Sequence, residues 1–79
     1  MREAYTTKQG QYLSFIYYYT KLNGRAPAHA DIQRYFEANP ASVNDMLKTL
    51  ERKGFIQREA RKARSIQLLL SRDELPDLE

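Results

Sequence analysis

The stretch that decides the fold is residues 39–57, NPASVNDMLKTLERKGFIQ. Asparagine is a preferred N-cap residue and proline at the first helical position gives up no hydrogen bond, so Asn39-Pro40 predicts the start of a helix. The apolar residues that follow are spaced i, i+4 and i+7 and therefore share one inward face: Val43, Leu47 and Leu50. Because Gly54 lies where a helix normally ends, we predict a helix over 40–53.

A shorter helix precedes this one and is joined to it by a tight turn. Pro27 favours a helix start, and apolar residues at i, i+3 and i+4 extend the helix over about 28–37: Ile32, Tyr35 and Phe36. Two helices joined this closely form a helix-turn-helix, which holds its second helix away from the body so that the outer face can enter the major groove of DNA.

The first helix is predicted over 7–22. Thr6 and Gln9 fit a capping box, and Asn23-Gly24 is a strong helix stop. Two apolar stripes run along this helix, one formed by Tyr12, Ile16 and Tyr19 with Leu13 beside them, and one formed by Phe15, Tyr18 and Leu22. The second stripe is either covered by other parts of the same chain, which we favour, or a homodimer surface.

The rest of the chain predicts a wing and a tail. Residues 55–58 and 65–70 are rich in strand formers and close in sequence, so we expect an antiparallel hairpin. The predicted fold class is mainly α with a small β-hairpin: a winged helix-turn-helix, three helices followed by a two-stranded antiparallel wing, in one domain over 1–72. Residues 73–79 are acidic and are expected to form a frayed tail.

Positive charge is concentrated in the second half of the chain. Residues 40–72 carry eight Lys and Arg side chains against three Asp and Glu, whereas residues 73–79 carry four acidic side chains. Clustered basic charge is typical of proteins that bind a polyanion, although a solvated basic face is also common.

The outer face of the 40–53 helix combines a small, polar first turn with cations further along. Opposite the apolar face lie Ala41, Asp45, Lys48 and Arg52, flanked by Ser42, Asn44 and Thr49. The first turn would let the backbone approach bases and its free amides bind a phosphate, whereas Lys48 and Arg52 suit phosphates or guanine. Asp45 either accepts a hydrogen bond from a cytosine amine or pairs with Lys48 or Thr49, and the sequence leaves both open.

The tip of the predicted hairpin is strongly basic. Its cations are Arg58, Arg61, Lys62 and Arg64. They are either a solvated turn or a clamp on the DNA backbone, and the neighbouring helix favours the clamp.

Several segments together resemble a known family. They are Thr6-Thr7-Lys8-Gln9, the loop 24–27, Asp31-Ile32, the block 43–56 and Lys62-Ala63-Arg64-Ser65-Ile66. Over about residues 5–70 the chain resembles the N-terminal DNA-binding domain of the LexA repressor family. The resemblance implies a winged helix-turn-helix that binds operator DNA, usually as a transcriptional repressor, with bases read at the start of the third helix and the backbone contacted by the wing.

The residues carried over from this resemblance are Asn39, Ala41, Ser42, Asn44, Asp45, Lys62 and Arg64. With the cations of the helix and the hairpin, the predicted DNA-binding residues are Asn39, Ala41, Ser42, Asn44, Asp45, Lys48, Arg52, Arg61, Lys62 and Arg64. The expected partner is double-stranded DNA.

Three features depart from the family pattern. The turn between the second and third helices is about one residue shorter, and Arg61 stands where the family usually has glycine. The sequence ends at Glu79, so we expect neither the self-cleaving protease domain, with its serine-lysine dyad, nor the dimerisation that this domain supplies.

Several function classes have no support in the sequence. It contains no cysteine and a single histidine, His29, which we expect at the surface or near a helix cap, so no metal site or cofactor is predicted. A glycine-rich phosphate loop and a nucleophile pattern are missing, which argues against an enzyme. Without an apolar run of membrane-spanning length or a signal peptide, we expect a cytoplasmic protein.

A second function stays open at this point. A winged helix can also serve as a protein–protein interaction module, here for an acidic partner, because a fold does not fix a function. The joint presence of basic residues on the 40–53 helix and on the hairpin favours DNA.

Overall fold

The computed structural model describes residues 4–79. Over this range the elements are α1 (Thr7–Asn23), α2 (His29–Phe36), α3 (Pro40–Arg52), β1 (Ile56–Gln57), β2 (Gln67–Leu68) and a 3-10 helix (Arg72–Glu74). The strands pair antiparallel, with Ile56 opposite Leu68. Three helices followed by a two-stranded hairpin confirm the predicted winged helix-turn-helix.

The ends of the helices follow the local signals in the sequence. The Thr6 hydroxyl accepts a hydrogen bond from the Gln9 amide at 3.1 Å, and the Gln9 side chain accepts one from the Thr6 amide at 2.9 Å, which completes the capping box. Gly24 ends α1 in the left-handed conformation, with φ of 73°. Glu37 takes the same conformation after α2, with φ of 52°, and so turns the chain toward α3.

The inner faces of the three helices and of the wing meet in one core. The predicted apolar face of α3 is fully enclosed, because Val43, Leu47 and Leu50 are each 0% exposed. They pack with the other buried apolar residues of this core, among them Tyr12, Leu13, Ile16, Ile32, Phe55 and Ile56. Burying this face fixes α3 against the body and leaves its opposite face to solvent.

The second stripe of α1 divides into buried and exposed parts. The Phe15 ring is buried, stacks on Tyr35 with 4.5 Å between ring centroids and meets Phe36 edge-on. The Tyr18 hydroxyl accepts a hydrogen bond from Arg72 at 2.8 Å, while Leu22 is 83% exposed. Phe15, Tyr18 and Leu22 therefore do not form one exposed patch, and Phe15 is covered from within the chain.

The two strands of the wing are shorter than the sequence predicts. Strands expected over 55–58 and 65–70 are reduced to two residues each, with one further bond from the Leu69 amide to the Phe55 carbonyl at 2.9 Å. The segment between them closes on itself instead, because the Ser65 hydroxyl bonds both the amide and the carbonyl of Glu59.

The C-terminal segment differs from the expected frayed tail, because residues 73–79 lie against α1 and α2. Leu75 is buried in the core. Side chains of the body bond main-chain atoms of this segment: Tyr5 to Glu74, Ser14 to Pro76, Gln11 to Asp77 and Tyr35 to Glu79. The acidic side chains suggested a solvated tail, whereas the segment docks through its backbone and through the apolar residues Leu75, Pro76 and Leu78.

Gly10 explains how the segment comes so close to α1. A Cβ atom at this position would lie 2.8 Å from the Tyr5 ring and 3.0 Å from the Pro76 ring. The glycine that weakens the first turns of α1 is thus the point at which two rings contact the helix backbone.

Candidate nucleic-acid interface

The outer face of α3 is open to solvent along its length. Its exposed residues are Pro40, Ala41, Ser42, Asp45, Lys48, Glu51 and Arg52, and Asn44 and Thr49 are half-buried beside them. The first two turns carry only small or short side chains on this face, so another molecule can approach the helix backbone closely.

The first turn of α3 is organised by its cap. The Asn39 side-chain oxygen accepts a hydrogen bond from the Ser42 amide at 2.8 Å. The Val43 amide bonds the Asn39 carbonyl at 3.2 Å, and Pro40 has no amide hydrogen. The Ala41 amide is therefore left as a free donor among residues 4–79, at the positive end of the helix dipole. Asn39 keeps its side-chain NH2 group available for a second contact.

The Asp45 carboxylate points to solvent. Thr49 bonds the main-chain carbonyl of Asp45 at 3.0 Å, not its carboxylate. Among residues 4–79 the carboxylate has no ion-pair partner, so the pairing with Lys48 or Thr49 considered from the sequence is not formed. The carboxylate remains available as a hydrogen-bond acceptor on the outer face.

Three of the predicted cations are exposed without an ion pair in the described chain: Lys48, Arg52 and Arg61. Lys62 contacts Glu59 at 3.1 Å, but both side chains are about two-thirds exposed, so solvent screens this pair and it contributes little. These four side chains can therefore turn toward an anion at little cost.

Arg64 lies in a different environment from the other wing cations. Its Nη1 atom is 3.2 Å from the Tyr19 hydroxyl, from the Ala26 carbonyl oxygen and from Oδ2 of Asp31. The wing residue predicted to contact DNA thus has its nearest partners inside the protein.

Asp31 is the anionic centre of this contact. Its Oδ2 atom also accepts a hydrogen bond from the Ala28 amide at 2.8 Å, which caps α2, and its Oδ1 atom is 2.9 Å from Arg34. The Ala28 amide is the main cause that holds the pKa of Asp31 below its ordinary value, with further lowering by Tyr19, Arg64 and Arg34 and an opposing effect of burial. The carboxyl group is therefore ionised at neutral pH.

Arg58 is also held by the body. Its Nε atom is 3.3 Å from Glu51 on α3, and its Nη1 atom is 3.4 Å from Nε2 of His29 on α2. His29 lies at the surface at the start of α2, as expected. The sequence did not predict the contacts that hold Arg58 and Arg64 to the body, because their partners are distant in the chain and carry no shared motif.

The structure thus separates the predicted residues into three groups. The helix start brings together Asn39, Ala41, Ser42, Asn44 and Asp45, the exposed cations are Lys48, Arg52, Arg61 and Lys62, and Arg64 is drawn into the body. Among residues 4–79 no cluster of three His, Asp or Glu side chains could hold a metal ion. None of the helices in that range is long and apolar enough to cross a membrane.

Comparison with known proteins gives a consistent match. The family model for the LexA DNA binding domain matches residues 2–65. The LexA repressor of Thermosipho melanesiensis is 34% identical over 70 residues, which cover 89% of this chain and 35% of the relative. That of Alcanivorax borkumensis is 42% identical over 72 residues, covering 87% of this chain and 34% of the relative. The chain therefore spans about a third of the length of these relatives.

Proposed function

Since the chain belongs to the LexA DNA-binding domain family, we propose that it binds double-stranded DNA sequence-specifically and acts as a transcriptional repressor. The third helix lies in the major groove and the wing contacts the backbone. The family is defined by DNA binding, and the curated relatives that match this chain are named repressors.

One observation carries the proposal at the level of the structure. The exposed face of α3 begins with small and polar residues around a free Ala41 amide and continues with the unpaired cations Lys48 and Arg52. A face built to approach another molecule closely, with cations beyond the point of approach, is complementary to a base edge flanked by phosphates.

The roles divide by side-chain chemistry. Ser42, Asn44 and Asp45 carry the hydrogen-bonding groups that can distinguish base edges, including the cytosine amine as a donor to Asp45. Lys48, Arg52, Arg61 and Lys62 bind phosphates, which contribute affinity at any sequence. The Ala41 amide donates to a phosphate at the start of the helix.

The small size of the domain bears on how many copies bind one operator. A single domain of this kind contacts few base pairs, so we propose that two copies, or one copy and a partner protein, occupy one operator. Leu22 is the exposed member of the proposed dimer stripe, whereas Phe15 is buried. We propose that the domain binds DNA without catalysing a reaction and that it acts in the cytoplasm.

Selection from random duplex DNA in the presence of competitor DNA tests the proposal. We expect a defined sequence to be enriched, and its affinity to fall with salt with a slope of about −3 to −4 per bound copy, the value for four phosphate contacts. Failure to enrich any sequence, together with an affinity that salt does not change, would contradict DNA binding and favour a protein partner.

Stoichiometry is measured separately. Sedimentation of the protein with and without the selected duplex gives the number of copies on the site. We expect a monomer that binds as two copies to a site with two half-sites, because two-fold operators mirror two-fold protein arrangements.

A further inference from the structure

We propose that Arg64 is a positioning residue of the wing: it ties the second arm of the hairpin to the helix-turn-helix through Tyr19, Ala26 and Asp31, and so sets where Arg61 and Lys62 stand relative to α3. The consequence for DNA rests on the function proposed above. The tie itself is a property of the free protein.

The geometry of the tie joins four separate parts of the chain. Arg64 follows the wing tip, Tyr19 belongs to α1, Ala26 to the loop after it and Asp31 to α2. The Nη1 atom of Arg64 lies 3.2 Å from an oxygen of each of the other three residues. The side chain of Asp31 is 13% exposed and that of Arg64 is 30% exposed, so this pair is far less screened than the Lys62–Glu59 pair.

The wing needs such a tie because its own strands are too short to fix it. Each strand has two residues, and the segment 59–65 is held to itself by Ser65. Two-stranded hairpins are marginally stable without packing against other elements. Arg58 attaches the first arm to α3 and α2, and Arg64 attaches the second arm to α1 and α2.

The same contacts also hold the backbone of Arg64 in a strained conformation. Its φ is 57°, in the left-handed region that a non-glycine side chain occupies only at a cost in energy. Such a conformation persists where the surroundings over-determine it. Here two hydrogen bonds and one ion pair at a single guanidinium nitrogen hold the side chain, and with it the strained backbone at the base of the wing tip.

A direct phosphate contact by Arg64 makes the opposite prediction for one substitution. If Arg64 binds DNA, then Asp31→Asn frees its guanidinium and removes a competing negative charge, so affinity rises. If Arg64 positions the wing, the same substitution loosens the wing, and Arg61 and Lys62 lose their phosphates.

The experiment compares Asp31→Asn, Tyr19→Phe and Arg64→Gln with the parent protein. DNA affinity is measured over a range of salt concentrations, and hydrogen exchange is measured at the amides of 59–65. The Asp31→Asn side chain retains an oxygen that can cap α2, and Tyr19→Phe leaves the cap and all charges intact, so at least one variant keeps the fold. Glu59→Gln is the matched control, since it removes a negative charge from the wing without touching the tie.

We expect each of the three variants to bind DNA about 5- to 20-fold more weakly and to show faster hydrogen exchange over 59–65. The salt slope should be smaller by up to about 1.8, the contribution of two phosphate contacts. Asp31→Asn combined with Arg64→Gln should be no weaker than either alone, because both remove the same tie. Glu59→Gln should exchange like the parent and bind at least as tightly.

Two results would overturn the proposal. One is Asp31→Asn and Tyr19→Phe binding as tightly as the parent or more tightly, with only Arg64→Gln weakened. The other is unchanged hydrogen exchange over 59–65 in all three variants. If the parent binds no DNA selectively, the proposed function fails, while faster exchange in the three variants but not in Glu59→Gln still supports the tie.

Discussion

Arg61 is an exposed cation at the wing tip whose backbone is left-handed, with φ of 63°. An L-residue in this conformation costs roughly 1–2 kcal/mol, a cost that glycine does not carry. The wing therefore places a positive charge where the backbone would be more stable without a side chain. At the scale of a single residue, stability and phosphate binding make opposite demands on this position.

The substitution Arg61→Gly should separate these two demands. We expect the free energy of unfolding to rise by about 0.5–1 kcal/mol, since relief of strain exceeds the extra freedom of glycine in the unfolded chain. DNA affinity should fall and the salt slope should decrease by about 0.9. Urea unfolding and a salt titration measure both effects. Ala60→Gly, at a neighbouring residue without positive φ, should destabilise instead, and equal effects at the two positions would contradict the argument.

Substitutions of two residues on the outer face of α3 should impair DNA binding in different ways. Arg52→Ala should weaken binding about equally for all DNA sequences and reduce the salt slope by about 0.9, because it removes a phosphate contact. Ser42→Ala should change the enriched sequence and leave the slope unchanged, because it alters a contact with bases. Repeating the selection and the salt titration on both variants tests this, with Lys21→Ala on α1 as the control. A common loss of slope in Ser42→Ala and Arg52→Ala would contradict the division of roles.

At the scale of the elements, the start of α3 serves both folding and the proposed binding. The Asn39 side chain caps the helix through the Ser42 amide, and this contact leaves the Ala41 amide as the free donor. The same turn therefore stabilises the helix and orients the group that faces a phosphate.

Loss of the cap should be visible as a loss of stability. Asn39→Ala should reduce the free energy of unfolding by about 1 kcal/mol, which for a domain of this size lowers Tm by about 4–8 °C. Asn39→Ser keeps a capping oxygen and should recover most of the stability. Thermal unfolding of the two variants tests the cap. If both unfold at the same temperature, the side-chain bond to Ser42 contributes nothing.

The contribution of the Asp31 carboxylate to the stability of the fold depends on pH. Its pKa is lower in the folded protein than in the unfolded chain, chiefly because of the Ala28 amide. Its stabilising contribution is therefore complete above the unfolded value of about 3.9 and is lost as the pH falls through the lower folded value. Urea unfolding from pH 7 to pH 2 should show a stability difference between the parent and Asp31→Asn that is constant near neutral pH and shrinks below about pH 4. A difference independent of pH over this range would contradict the assignment.

At the scale of the whole molecule, the C-terminal segment completes the core. Leu75 is 8% exposed and belongs to the same cluster as the inner residues of the helices. A chain of 79 residues has few apolar side chains to bury, so one more leucine is a sizeable part of its stability.

Leu75→Ala should therefore destabilise the domain although it lies outside the helices and the wing. We expect a loss of about 2–3 kcal/mol, at the lower end of the range for buried leucines. Leu22→Ala is the matched control, because Leu22 is 83% exposed and its truncation should change the stability by less than about 0.5 kcal/mol. Urea unfolding measures both, and a loss at Leu75 no larger than at Leu22 would show that the segment is not docked in solution.

Sequence reasoning succeeded where the signal is local. The caps at Thr6 and Asn39 and the apolar period of α3 depend on residues within one or two turns, and the structure confirms them. It failed where partners are distant: Arg64 and Tyr19 lie 45 positions apart, and Ser14 and Pro76 lie 62 apart. Spacing predicts which face a residue occupies, but it does not tell an exposed arginine from one bound to the body.

The docking of the C-terminal segment has a consequence for how this part of the sequence can change. The side chains of Gln11, Ser14 and Tyr35 donate hydrogen bonds to main-chain oxygens of the segment. The Glu79 amide donates one to the Gln11 side chain. Main-chain oxygens and amides are common to almost every residue type, so these hydrogen bonds depend on the path of the chain, whereas Leu75, Pro76 and Leu78 contact the body through their side chains. Asp77 and Glu79 are therefore free to diverge, and selection on this segment should act on Leu75, Pro76 and Leu78 and on the residues of the body that hold the backbone in place.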